Sequence, residues 1–131
     1  MTKKYEYKTK VYYEDTDVGG IVYYANYLKF IERARTEMIY QQFKLSHQKL
    51  KSIHDAIFIV RSCNTKYLKS ANFEDELVVL TSILKKTPVR LNLLQEVNRN
   101  NELLVSAEVE LAIVDSKGKV KKIPRELIDT L

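Results

Sequence analysis

Between residues 27 and 38 the chain carries Tyr27, Phe30, Ile31, Ala34 and Met38 at helical spacing, with Lys29, Glu32, Arg33, Thr36 and Glu37 on the other side. Apolar residues at three- and four-residue intervals mark one face of an α-helix. The pattern predicts about four or five turns at the 3.6-residue repeat. The segments around it read mostly as strands. Ahead of it, Tyr5, Tyr7, Thr9, Val11 and Tyr13 alternate with Lys4, Glu6, Lys8, Lys10 and Tyr12, the period of a half-buried strand. Behind it, "LSHQKLKSIHD" reads as a loop or irregular helical turn, followed by four strand candidates at 56–68, 76–86, 89–99 and 102–115. In the last of these, Val105, Ala107, Val109, Leu111 and Ile113 share a face. Turns at Thr87 and Pro88, at Asn100 and Asn101, and at "SKGK" divide the strands. "IPRELIDTL" predicts a short helix starting at Pro124. One long helix and an antiparallel run predict an α+β layer fold, a curved sheet wrapped around a mostly buried helix.

A chain of 131 residues with 45% hydrophobic and 30% charged residues can bury a real core. Three glycines and two prolines leave no room for long linkers, so residues 1–131 are expected to form a single domain. The start, "MTKKYEYKTK", has no apolar run behind its charges and reads as neither a secretory signal nor a transmembrane segment. One cysteine, Cys63, allows no internal disulfide and no metal-ligand set, which suits the reducing cytoplasm. The net charge of +5 favours an anionic partner. No interleaved Arg/aromatic platform points to nucleic acid, and a phosphorylated small molecule accounts for the charge equally well.

The strand and the helix are joined by "YYEDTDVGGIVYYANYLKF", residues 12–30. Asp and Gly are ordinary turn formers, so a plain turn is one reading. A calcium loop is a second: Asp15, Asp17 and Gly20 imitate its first, third and sixth positions. Gly19 at the fifth has no ligand atom, however, and Asn26 stands where a bidentate Glu is needed. The third reading is catalytic. A helix N-terminus, here with Asn26 as the expected cap, presents unpaired N–H groups that stabilise negative charge. A carbonyl substrate with its oxygen on that terminus would expose its carbon to Asp17, or to a water that Asp17 activates. Among acyl compounds a thioester suits a lone carboxylate, because its leaving thiol has a pKa of about 8.5 and departs without much proton assistance.

Two stretches, "YYEDTDVGGIVYYANYLKFIERARTEM" and "FIVRSCNTKYLKSANFEDEL", resemble hotdog-fold acyl-CoA thioesterases of the 4-hydroxybenzoyl-CoA thioesterase type. Within them the likeness is greatest to the bacterial YbgC-type group associated with the Tol-Pal envelope system. The resemblance implies a hotdog fold and acyl-CoA hydrolysis to a carboxylic acid and CoA, without cofactor or metal. It makes Asp17 the catalytic carboxylate, as nucleophile or general base, assigns the oxyanion donor to the Tyr24 backbone N–H, and leaves Asp15 to order the turn. Gly20, Val22 and Tyr23 are expected beside the substrate. Lys85, Lys86 and Arg90 are expected near the CoA phosphates, with the Lys117–Lys122 run as a rival. The family implies a homodimer or homotetramer with the site between protomers, and acyl-carrier protein as another thioester carrier.

Two positions depart from the group. Tyr24 stands where many members have His, and a phenol with a reference pKa near 10 is a poor base at neutral pH. Ser70 replaces a frequent Pro, an effect expected to stop at its loop. Tyr24 also favours an alternative: a non-catalytic binding module for acyl thioesters or acyl-carrier protein in the envelope machinery. A hotdog dehydratase would need a helix histidine, which this helix lacks. Tyr23, Tyr24 and Tyr27 read alternatively as core packing, and Glu32 with Arg35 as a surface pair. His47 and His54 have no recognisable spacing to Cys63, which reads as a small buried hydrophobe rather than a nucleophile.

Overall fold

The long helix owes its position to seven buried side chains. A computed structural model describes residues 3–131; Met1 and Thr2, the start of the segment read for a leader, lie outside the described residues. In it α1 spans Tyr27–Phe43 and buries Tyr27, Phe30, Ile31, Ala34, Met38, Ile39 and Phe43. All five residues of the predicted face are among them. The helix ends at Lys44, in the left-handed region at φ 57°.

Five strands follow the predicted order: β1 (Lys4–Lys10), β2 (Ile57–Tyr67), β3 (Glu76–Lys86), β4 (Arg90–Arg99) and β5 (Glu102–Val114). They form one sheet in the order β1-β3-β4-β5-β2, every neighbour antiparallel. The helix packs on β1, β3 and β4, so the sheet supplies one layer and α1 the other. This is the α+β hotdog arrangement. Asn100 and Asn101 adopt φ 49° and 68°, as a two-residue hairpin between β4 and β5 requires. Between the layers Gln95 is fully buried, its amide donating to Ile31 O at 2.9 Å and Thr81 Oγ1 at 3.0 Å. A buried amide satisfied on both sides ties helix to sheet at one register.

Several local expectations differ. The segment after α1 is a regular helix, α2 (His47–His54), with Ser46 Oγ accepting from Lys49 N. It is only eight residues long, about two turns, and buries Leu50 alone. β1 stops at Lys10, and Tyr13 turns outward, 81% exposed, in a 3₁₀ turn of residues 13–15. Cys63 is exposed, because β2 is an edge strand. Glu32 binds Thr36 while Arg35 reaches Gln95 Oε1 at 3.5 Å, so Glu32 and Arg35 are not paired. A short α3 (Arg125–Ile128) follows Pro124 as predicted.

Candidate active site

The loop between β1 and α1 is fixed by Asp15, which is buried. Its Oδ2 accepts from Tyr12 N at 2.9 Å, and its carbonyl accepts from Tyr23 N at 3.0 Å and Asn26 Nδ2 at 2.8 Å. Asn26 therefore holds the loop rather than capping the helix; its own conformation is helical and its side chain makes no capping bond. Inside this frame Asp17 sits on a tight hairpin. Asp17 N donates to Ile21 O at 2.9 Å, and Gly20 N to Asp17 O at 3.1 Å, with Gly20 at φ 79°. Gly19 N donates to Asp17 Oδ1 at 2.8 Å, and a Cβ at Gly19 would crowd that oxygen at 3.2 Å. Asp17 Oδ2 has no hydrogen-bond partner among the described residues.

Residues 24–26 form one 3₁₀ turn that runs directly into α1. The amides of Tyr24 and Ala25 have no acceptor among the described residues, whereas Asn26 N is taken by Tyr23 O at 2.8 Å. Unpaired donors at the positive end of a 17-residue helix suit an anion. Beside them opens a cleft of about 370 Å³ lined by Asp17, residues 21–24, Tyr27 and residues 67–70. Its aromatic wall is a chain of rings: Tyr23 to Tyr24 at 5.0 Å, Tyr24 edge-on to Tyr67 at 5.9 Å, and Tyr67 to Tyr27 at 5.8 Å. Burial holds the Tyr27 and Tyr67 phenols above their ordinary pKa, so both stay protonated at neutral pH.

Asp17, Val22, Tyr23 and Tyr24 thus line one cleft, and Gly20 forms the turn below it. Asp17 is solvent-exposed in the isolated chain but stands at the cleft rim. Tyr23 and Tyr24 are 49% and 60% exposed, which overturns core packing for both. The Tyr24 ring leans on Tyr67, and its hydroxyl makes no bond to Asp17 among the described residues. Tyr27 is buried as expected, but its hydroxyl also accepts from Ala71 N at 2.9 Å.

The cation group lies elsewhere. Tyr67 is in register with Val105 and Val97, whereas Lys86 is in register with Leu91, Leu111 and Val60. Six residues of β4 and of β5 separate the two rows, roughly 20 Å at about 3.3 Å each. Lys86 Nζ donates to Leu131 O at 2.7 Å, and Arg90 Nε lies 3.9 Å from Glu110. Within one chain Lys85, Lys86 and Arg90 do not meet Asp17.

The far wall, residues 67–70, was not readable as part of the site, because only long-range pairing brings it to Asp17. Ser70, expected to matter to its loop alone, lines the cleft. A larger cleft of about 560 Å³ lies between Glu32, Arg35, His47 and Phe58. It is lined by Glu32, Glu37 and the start of α2, Ser46 to Gln48, and contains neither Asp17 nor Tyr24. Among the described residues no group of three or more His, Cys, Asp or Glu could hold a metal ion, and no helix is long and apolar enough to cross a membrane.

Comparison with known proteins identifies the family of the chain. The family model of the thioesterase-like superfamily matches residues 11–131. The acyl-CoA thioester hydrolase YbgC of Escherichia coli O6:H1 is 39% identical over 129 residues, covering 97% of this chain and 95% of the relative. The acyl-CoA thioesterase YbgC of Haemophilus influenzae is 36% identical over 125 residues, covering 94% and 90%. Among solved structures, a variant of a 4-hydroxybenzoyl CoA thioesterase complexed with 4-hydroxybenzoyl CoA superposes with a TM-score of 0.90 at 17% identity, covering 97% of each chain. That likeness bears on the fold. The identities and the matched family model establish that the chain belongs to the thioesterase-like superfamily, as a YbgC-type hotdog-fold member.

Proposed function

We propose that the chain hydrolyses acyl-CoA thioesters to a carboxylic acid and CoA at the cleft beside Asp17. The observation that carries this reading is the Asp17 carboxylate, with one oxygen unpartnered, on the same cleft as Tyr24, whose amide is free in the turn that leads into α1. The names of the YbgC relatives supply the substrate class. In the proposed reaction the thioester oxygen lies on the Tyr24 N–H, where charge develops as the carbonyl carbon becomes tetrahedral. Asp17 Oδ2 either bonds to that carbon, forming an acyl-aspartyl anhydride that water then opens, or removes the proton of a water that attacks directly. In both routes the C–S bond breaks and the thiolate leaves with the electron pair. Tyr24 contributes its amide and its ring rather than a base.

Substrate contact is assigned to Gly20, Val22 and Tyr23, and phosphate contact to Lys85, Lys86 and Arg90. Since those cations are remote from Asp17 in one chain, the reading requires an assembled site, with the CoA of one cleft reaching another protomer. The edge strand β2, 11 residues long and mostly exposed, is suited to pair with a copy of itself. A free, exposed Cys63 suits the reducing cytoplasm as the compartment.

Asp17→Asn should lower kcat by at least a thousandfold while CoA affinity changes less than threefold, measured by thiol release and by calorimetry. An unimpaired Asn variant would defeat both routes. Single turnover in heavy-oxygen water tests for the anhydride, since label in the Asp17 peptide requires one opened at the aspartyl carbonyl, and trapping of an acyl-Asp17 adduct by hydroxylamine separates an anhydride opened at the acyl carbon from the base route. Binding of acyl-CoA or acyl-carrier protein without thiol release would leave only a binding module.

A further inference from the structure

We propose that Arg99 is a positioning residue for the cleft, holding residues 70–75, which end the 67–70 wall and back the strand of residues 20–22, and thereby setting affinity for the acyl thioester. The proposal rests on the thioesterase reading for its substrate. Arg99 is the last residue of β4, in register with Glu102 across the Asn100–Asn101 turn, so its backbone is set by the hairpin. One guanidinium nitrogen, NH1, donates to Asp75 Oδ2 at 2.7 Å and to the Ser70 carbonyl at 3.2 Å, while NH2 donates to Glu102 Oε1 at 2.7 Å. A single planar group thus grips both ends of a six-residue segment. Asp75 also accepts from Asn72 N at 2.8 Å, which closes the segment on itself.

What lies between those two grips touches the site directly. The Ala71 amide donates to the Tyr27 hydroxyl, and its carbonyl accepts from Val22 N at 2.9 Å. Asn72 bridges Ile21, and Phe73 N donates to Gly20 O at 3.1 Å. Leu68, Lys69 and Ser70, immediately before it, line the cleft. The guanidinium is about three-quarters covered, and its fork supplies fixed, parallel donors that a lysine ammonium does not. Glu102 is shared, since its other oxygen takes Lys69 Nζ at 2.6 Å, so the same carboxylate orients the one cation on the cleft lining.

Asp17 has its own bonds to Gly19 and Ile21, and Arg99 reaches that hairpin only indirectly, through the main-chain contacts of Asn72 and Phe73 with Ile21 and Gly20. Loosening the wall therefore weakens substrate binding more than it disturbs the acid. In the full-length protein, Arg99→Gln is expected to raise KM for an acyl-CoA about fivefold with kcat within twofold, and Arg99→Lys to recover less than half of that loss. Asp75→Asn should match Arg99→Gln, and the double variant should lose no more than either single one. Amide exchange in residues 70–75 should quicken about tenfold in Arg99→Gln while exchange in α1 is unchanged. Unaltered exchange in 70–75 overturns the proposal whatever the activity. So does an unchanged KM, including when the melting temperature falls, and so does a lower kcat at constant KM. A wild-type chain that releases no thiol defeats the thioesterase reading instead, and with it the assignment of Arg99 to substrate affinity.

Discussion

Tyr27 shows how a residue can serve the core and the site together. Its ring packs against Phe30 at 6.2 Å and Tyr67 at 5.8 Å, while its hydroxyl is the acceptor for the buried Ala71 amide. Tyr27→Phe keeps the ring and strands that amide, a change expected to cost about 1–3 kcal/mol, readable as a shifted urea midpoint at constant slope. The ring's burial was legible from the helical period, which is local. The hydroxyl's partner was not, because Ala71 is 44 positions away and arrives through the sheet. The same division separates Asp17 from Tyr67. The first announces itself by its turn and helix mouth, whereas the second joins the cleft only when β2 is placed beside β5. Arg99 carried no local signal at all, since nothing in "VNRNNE" tells which acids its fork will meet.

At the scale of elements, α1 and the last three strands could be read from the sequence because their patterns coincide with their burial. β3 fills the predicted 76–86, β4 and β5 differ from prediction by a residue at one end, and the predicted inward face of β5 is buried throughout. α2 escaped because its eight residues make barely two turns, too short a run to set a helical repeat apart from a loop. The segment from Leu68 to Asp75 is held instead by charge and by main-chain pairing. Its anchor Glu102 has a pKa held below the ordinary 4.5, first by the hydrogen bond from Lys69 and then by that from Arg99. A carboxyl depressed in the folded state takes its proton more readily when unfolded. The stability it carries is therefore complete above about pH 4.5 and is lost as the pH falls toward and through the folded value. Melting temperatures taken at pH 6 and pH 3.5 should fall in acid, and Glu102→Gln should show a smaller fall. An equal fall in both proteins would remove Glu102 from the account.

For the molecule as a whole, the open edge of β2 and the distance between Asp17 and the Lys85/Lys86/Arg90 group lead to the same expectation. Sedimentation should return two or four times the chain mass of 15.4 kDa, and a chain that stays single at micromolar concentration while retaining full turnover would overturn the shared site. The positive charge of +5 then has a use on such an assembly, drawing a polyanionic substrate towards it, and turnover at low substrate should decline as salt is added. Asp17 itself hangs from the main chain of Gly19 and Ile21, and the strand beneath it from that of Ala71. The side chains of Tyr23, Tyr24, Tyr67 and Leu68 can accordingly be exchanged, wider for narrower or polar for greasy, without unseating the acid. Such a scaffold can diversify its clientele of acyl groups while its chemistry stands still.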